Sequence, residues 1–415
     1  MSSQVPTEPT RSVSEITADR LRVLTLSTVF PSLAHPGRGG FVRERIRKMA
    51  MGANVTVLAP VPFFRHAPST LLPSVEQDDQ FSVLTPQWIY PPWIGWLNPV
   101  WLFLRLLWPA ARLRRVLRYQ IIDSHFGFPD GCAATLLAAV FRCPFTITLR
   151  GSEVLHAEYP LRRRAMRFAF RRANRIIAVS ERLRQFAIEL GAEAARVKTI
   201  PNGVDTTRFF LRNQAESRRK FGLSPDRKIV LSAGHLIELK GHHRIVRALH
   251  SLQREGIAAD LVIAGGPGGV RSHEKEIRRT VTELGLQQHV QFLGEVPQRE
   301  LAELMAAADL FCLASSREGW PNVVNESLAC GLPVVATDVG AIPEMIPSEQ
   351  YGLIVPPDNA VALQNALREA LGRNWDRSAI ADWGQSRSWA QVAREVLQEM
   401  RQVIDEVNPV CAAKT

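Results

Sequence analysis

The sequence predicts an α/β protein of two doubly wound halves facing each other across a cleft, and three observations predict it. At 415 residues the chain is too long for one ordinary core. Short apolar runs of strand length alternate with helical periodicity, the order that gives parallel sheets. That order begins at Leu21 and begins again at "KIVLSAGH", past a junction near residues 205–225.

The elements follow in sequence. "LRVLTLSTVF" is an apolar strand, "PSLAHPGRGG" a Gly/Pro loop, Phe41 to about Met51 a basic helix, and "NVTVLAP" the next strand. "QIIDSHF" and "PFTITLR" are strands flanking a helix from Gly131 to about Phe141. "RIIAVS" and "RVKTIPNGVD" close the first half, with Asn202-Gly203 as a turn signal. In the second half "KIVLSAGHLIELKGH" gives strand, loop and helix, and "DLVIAGGPGG" a strand and glycine turn. "VQFLG", "LFCLAS", "PVVAT" and "GLIVPP" are its remaining strands. A last amphipathic helix, about Trp389 to Val407, is long enough to cross back onto the first half. The boundaries expected are a disordered lead-in at 1–20, a first domain at 21–205, a second at 206–388, and the returning helix with the tail at 389–415.

Composition narrows the function classes. The chain is 46% hydrophobic and 22% charged, as in soluble globular proteins. Its five cysteines lack CxxC or metal-ligand spacing, which fits a reducing compartment. The polar first twenty residues carry no apolar signal-peptide core. The net charge of +11 calls for an anionic partner. The arginines of "LRRRAMRFAFRRANR" form a basic amphipathic helix from Arg162 to Arg175, suited to lipid headgroups or simply to solvent. No helix-turn-helix, zinc finger or RRM signature accompanies them, so nucleic acid is not an expected partner. Five of the nine tryptophans fall between Trp88 and Trp108, in a segment interrupted by Pro99 and Arg105 and followed by Pro109. It is too broken to span a bilayer. Two readings remain, an interfacial segment lying on a membrane and an aromatic helix in the core.

The strand-to-helix loops carry the chemistry, because ligands of such sheets bind at the carboxyl ends of strands. "SSREGWPNVVNESLACGLPVVAT" places Glu318 in the loop before a helix and Glu326 on that helix's second turn. Pro321 suits the first helical position and Gly331 the stop. The helix N-terminus offers unpaired N–H groups to a phosphate. Two carboxylates flanking it would frame a nucleotide-sugar; two ordinary surface glutamates are the alternative. No P-loop is present, "GGPGG" does not complete a dinucleotide fingerprint, and no Asp-x-Asp pair offers to hold a metal. A diphosphate must then be met by side chains such as Lys240 and by backbone near Gly39 and Gly40. His125 in "DSHFGFPDG" is expected at a strand end facing the cleft. Arg150, Gly151, Ser152 and Glu153 stand at the next strand end, on the acceptor side.

These stretches, with "GRGGFVRERI", "SHFGFPDG", "TLRGSE", "TIPNGVD", "LKGH" and "VQFLGEV", occur in the order that resembles glycosyltransferase family 4, from about residue 22 to 400. The look is nearest to the branch that includes teichuronic acid biosynthesis glycosyltransferases. The resemblance implies a GT-B fold of two Rossmann-like domains. It implies metal-free transfer from a nucleotide-sugar, with a UDP-sugar favoured and anomeric configuration retained. Glu318, from the family's paired-glutamate motif, would lie against the donor sugar, and Glu326 would bind the ribose. Lys240 would bind the diphosphate, and Gly319, Trp320, Pro321 and Asn322 would cap sugar and phosphate. Phe292 and Leu293 would flank the base, while Gly40 and His125 complete the site. Many members carry an arginine where this chain has His235, an imidazole largely neutral at pH 7. Retention without a placed nucleophile points to front-face attack by the acceptor hydroxyl. The acceptor would be lipid-linked or a polysaccharide, met at the cytoplasmic membrane's inner face. A GT-B epimerase and a non-catalytic scaffold are the other readings.

Overall fold

The computed structural model describes residues 20–31, 37–62, 75–78, 80–88, 94–268 and 272–407. The readings made on the lead-in, Trp93, Gly269 and the tail after residue 407 lie outside the described residues. Among the described residues sixteen strands fall into two large, mainly parallel sheets and one small pair. The first sheet uses β1 (Leu21–Leu26), β2 (Ala53–Leu58), β4 (Val75–Asp78), β5 (Phe81–Leu84), β7 (Ile121–His125), β8 (Phe145–Leu149), β9 (Arg175–Ala178) and β10 (Val197–Thr199). Their order is β10-β9-β8-β7-β1-β2-β5-β4, parallel except for the β4–β5 pair. The short β3 (Val61–Pro62) and β6 (Gln87–Trp88) pair separately. The second sheet comprises β11 (Lys228–Ala233), β12 (Ala259–Ala264), β13 (Val290–Gly294), β14 (Leu310–Leu313), β15 (Val334–Thr337) and β16 (Gly352–Val355). Its order is β13-β12-β11-β14-β15-β16, parallel throughout.

The crossovers of the first half are α1 (Gly40–Ala50), α2 (Asn98–Leu117), α3 (Cys132–Phe141), α4 (Ser152–Ala157), α5 (Pro160–Phe170) and α6 (Glu181–Glu189). Those of the second are α7 (Gln214–Lys220), α8 (His242–Arg254), α9 (Glu274–Glu283), α10 (Gln298–Ala307), α11 (Asn322–Ala329), α12 (Ile342–Met345), α13 (Ala360–Gly372) and α14 (Arg377–Gln385). Helices on both faces bury the sheets, so the central strands are buried on both faces without alternation. All five residues of β8 are buried. Four core clusters result, one on each face of each sheet. Helix α15 (Trp389–Val407) sets Val392, Val396, Met400 and Val403 into the first sheet's core beside Ile46 and Met49. Arg175 pins it there through Glu399 at 2.9 Å and Glu406 at 2.8 Å.

Two sequence expectations change. Arg175 is not on the arginine helix's surface: it opens β9, is buried, and pairs with α15. The tryptophan-rich segment divides between its two readings. Helix α2 buries Leu102, Leu106 and Ala110 in the core and leaves Trp101, Leu104 and Trp108 exposed. No helix among the described residues is long and apolar enough to cross a membrane.

Candidate active site

A cavity of about 420 Å³ opens between the two sheets. Its second-half wall is built from strand ends: Gly234 and His235 after β11, Gly265 and Gly266 after β12, and Glu295 and Val296 after β13. Gly265 has no alternative, since a β-carbon there would sit 1.8 Å from the Gly234 carbonyl oxygen. The stretch Glu318–Val323 forms the adjoining wall. Phe41, Arg150 and Asn202 face it from the first half.

Lys240 and Glu318 meet in this cavity. Lys240 ends a one-turn helix (Glu238–Lys240), and Gly241 follows at φ 71°. A β-carbon on Gly241 would lie 1.9 Å from the Ala314 carbonyl oxygen, so only glycine lets the turn seat against the end of β14. Lys240 Nζ donates to Glu318 Oε1 at 2.7 Å, and Ser315 Oγ donates to the same oxygen at 2.7 Å. Helix α11 starts alongside. Pro321 is its N-cap, one position earlier than the sequence reading placed it, and no side chain caps the helix. No side chain therefore competes with an anion for the N–H groups of Asn322 and Val323, while that of Val324 donates to the Pro321 carbonyl at 2.9 Å. Trp320 packs against the cores of both halves, and its buried indole N–H has no partner among the described residues.

Glu326 sits on the second turn of α11, partly buried and outside the cavity wall. Burial pushes its carboxyl up to about 7; Arg208 opposes the rise, while Asp205 and Glu44 add to it.

On the first-half side a buried polar chain runs inward from the cavity. Arg150 Nη1 donates to Asn202 Oδ1 at 3.0 Å, and Arg150 Nε to His125 Nδ1 at 3.2 Å. His125 Nε2 lies 3.3 Å from Asp123, whose carboxylate also holds Arg45 at 2.7 Å. Burial, with Arg45 and Arg150 adding to it, lowers the His125 imidazole to about 3, although Asp123 opposes the drop. The ring is therefore neutral at working pH and accepts from Arg150 through Nδ1.

Several sequence readings are corrected here. His125 does not face the cleft; it is fully buried behind Arg150, because the strand end tucks it against Asp123. Phe292 and Leu293 do not line the cavity. The Arg278 guanidinium covers the Phe292 ring at 4.1 Å, Leu293 packs into the core, and Glu295 and Val296 stand where they were expected. Gly39 and Gly40 also lie outside it. Gly39, at φ 72°, shapes the start of α1 against the Val29 carbonyl. Glu153 accepts the backbone N–H groups of Gly127 and Gly151 at 2.8 and 2.7 Å, which spends its carboxylate on the turn. Ser152 is exposed at the start of α4. Gly319, Trp320, Pro321, Asn322 and His235 all line the cavity.

Asn202, Phe41, Glu295 and Val296 were missed. Asn202 read only as a turn residue. Its side chain in fact accepts from Arg150 and donates to Asn322 Oδ1 at 2.9 Å, which bridges the halves.

Known proteins share this architecture. Residues 46–208 match the model of Glycosyltransferase Family 4, and residues 213–387 that of Glycosyl transferases group 1. A Bacillus subtilis protein assigned to teichuronic acid biosynthesis as a glycosyltransferase is 29% identical over 365 residues, 84% of this chain and 88% of that one. The GDP-mannose-dependent alpha-(1-6)-phosphatidylinositol monomannoside mannosyltransferase of Mycolicibacterium smegmatis is 30% identical over 295 residues, 68% and 75% of the two chains. Among solved structures, sucrose-phosphate synthase of Thermosynechococcus elongatus superposes with a TM-score of 0.76 at 21% identity, covering 93% of this chain and 100% of that one. Anabaena HepE in complex with UDP and glucose does so at 0.72 and 22%, covering 92% and 100%. The fold is GT-B, two Rossmann-like sheets about a cleft. The chain therefore belongs to the glycosyltransferases, with a family 4 first half and a group 1 second half.

Proposed function

We propose that this chain is a retaining, metal-independent glycosyltransferase that moves a sugar from a UDP-sugar to a lipid-linked or polysaccharide acceptor of the cell surface. The observation that carries the reading is the Lys240–Glu318 pair, held at 2.7 Å in the interdomain cavity beside the uncapped start of α11. A donor diphosphate laid against α11 and Lys240 would have its growing charge neutralised as the bond to the anomeric carbon breaks. On this reading Glu318 would lie against the donated sugar. Front-face attack by the acceptor hydroxyl, with its proton passing to the departing phosphate, gives retention without a carboxylate nucleophile. UDP is the nucleotide held by HepE, which supports it as the first donor class to try; the GDP-mannose dependence of one relative makes GDP-sugars the comparison.

The acceptor reading rests on the surface of the first half. Trp101, Leu104 and Trp108 on α2, and Phe168 among the arginines of α5, are exposed. The two elements adjoin, since a β-carbon on Gly95, just before α2, would lie 2.9 Å from the Arg162 guanidinium. Aromatic side chains beside arginines suit an anionic membrane's interface, which would bring the cleft to lipid-linked acceptors from the cytoplasmic side.

The test is transfer from labelled UDP- and GDP-sugars to extracted glycolipids with chelator present, the product's anomeric configuration being read by NMR. A chelator-insensitive product with the donor's configuration supports the reading. An inverted product or a free epimerised nucleotide-sugar overturns it.

A further inference from the structure

We propose that Arg150 is the receptor for an oxyanion of the bound substrate on the first-half side of the cavity, a second cationic subsite besides Lys240. The proposal rests on the cavity being the substrate site. Four observations place it. Arg150 lines the cavity, although it is only 8% exposed, and its guanidinium bonds to Asn202, another residue of the wall. Among the described residues, no carboxylate lies within ion-pair distance of its guanidinium. Its contacts are neutral: the Asn202 amide oxygen at 3.0 Å, the His125 ring nitrogen at 3.2 Å, and the Phe41 ring 4.9 Å away. The nearby carboxylates are occupied, Asp123 by Arg45 and Glu153 by backbone N–H groups.

A buried cation without a counter-charge costs free energy, and burial disfavours the charged form of Arg150. A guanidinium nevertheless keeps its proton in proteins. The fold therefore holds a desolvated charge at the cavity wall that an incoming anion would satisfy, by a planar fork suited to phosphate or carboxylate. The other strong cation of the wall, Lys240, is already paired with Glu318. Two sources supply such an oxyanion: the donor's diphosphate, and a carboxylate on an acidic sugar.

Calorimetric titrations distinguish them. UDP, uridine, inorganic pyrophosphate, and glucuronate in the presence of UDP are titrated into the wild-type chain, Arg150→Gln and Arg150→Lys. Melting curves establish that each is folded, and Arg150→Met, matched in volume, replaces the glutamine variant should that fail to fold. Loss of a charge-assisted contact predicts about ten- to hundredfold weaker binding of one anion, with uridine unchanged and lysine restoring part of the loss. A fall for UDP and pyrophosphate assigns the diphosphate; a fall confined to glucuronate assigns an acidic sugar. Folded variants that bind every anion within twofold of wild type overturn the proposal. If no nucleotide binds the wild type, the donor reading fails by itself. Arg150 is then judged on pyrophosphate and glucuronate alone, and loss of neither on substitution overturns it.

Discussion

Gly151 and Gly319 meet backbone to backbone across the cleft: a β-carbon on Gly151 would lie 2.5 Å from Gly319 Cα, and one on Gly319 would lie 2.0 Å from the Arg150 carbonyl oxygen. Neither halving of the contact is open to a larger residue, and Gly151 in addition holds φ 117°. Gly319→Ala is expected to hold the halves apart with the fold of each intact. Displacing the Glu318 loop by even an ångström should lower turnover by about a hundredfold. Small-angle scattering should show a larger radius of gyration, and an unchanged radius with normal turnover would refute the contact's role.

Asn202 ties the same junction with side chains. Asn202→Ala strands Arg150 Nη1 and Asn322 Oδ1, each now paired at about its optimum distance. The cost of unpaired buried polar groups is about 1–3 kcal/mol. The variant should lose about tenfold or more in kcat/KM and melt a few degrees lower than the wild type. Asn202→Asp keeps the Arg150 partner but not the donation to Asn322, and should recover only part of that loss.

The fold and the second-half wall of the cavity were legible because they rest on local patterns. Strand ends, Gly241, and the Pro321–Gly331 helix obey spacing rules that need no tertiary knowledge, and the cavity does contain His235, Lys240 and the Glu318–Asn322 stretch. The first-half wall was not legible in the same way. His125 and Arg150 stand at successive strand ends, and only packing decides that Arg150 reaches the cavity while His125 is buried beneath it. Sequence pattern places a residue at the end of a strand but does not say which of two neighbouring strand ends meets the cavity. The absence of Phe292 and Leu293 from the cavity wall, where Glu295 and Val296 stand instead, also depends on packing. β13 spans Val290–Gly294 as read, but Phe292 and Leu293 lie within it and pack under Arg278 and into the core, so only the loop after the strand meets the cavity.

Glu326 predicts a pH dependence of stability. Its carboxyl, ordinarily near 4.5, is raised to about 7 by burial. Between those values the folded chain keeps a proton that the unfolded chain has lost, so stability falls as pH rises through that window. Glu326→Gln should remove up to one proton's slope, about 1.4 kcal/mol per pH unit, and less to the extent that solvent reaches the group. Asp130, buried and raised to about 8, adds loss of the same sign up to that pH. Urea midpoints from pH 5 to 8 check both; a slope unchanged in Glu326→Gln would contradict the assignment.

The exposed aromatic face makes a prediction independent of chemistry. Trp101→Ser with Trp108→Ser should abolish sedimentation with anionic vesicles while leaving nucleotide binding intact, because both tryptophans lie on the outer side of α2. Reversing Arg163 and Arg167 on α5 should do the same, at about 1 kcal/mol of binding per arginine, and salt should weaken the wild type. Binding to neutral vesicles alone would count against the arginines' part.

The most direct measurement is calorimetric titration of UDP into the wild-type chain and Lys240→Ala, with chelator in both cells. Lys240 Nζ is the ammonium already seated in the cavity at Glu318. Metal-free binding of UDP to the wild type, weakened about ten- to hundredfold by the substitution with uridine affinity unchanged, is the expected result. Equal UDP affinity in wild type and variant, or binding that appears only with a divalent metal, would contradict the assignment of this cavity as a metal-free nucleotide-sugar site.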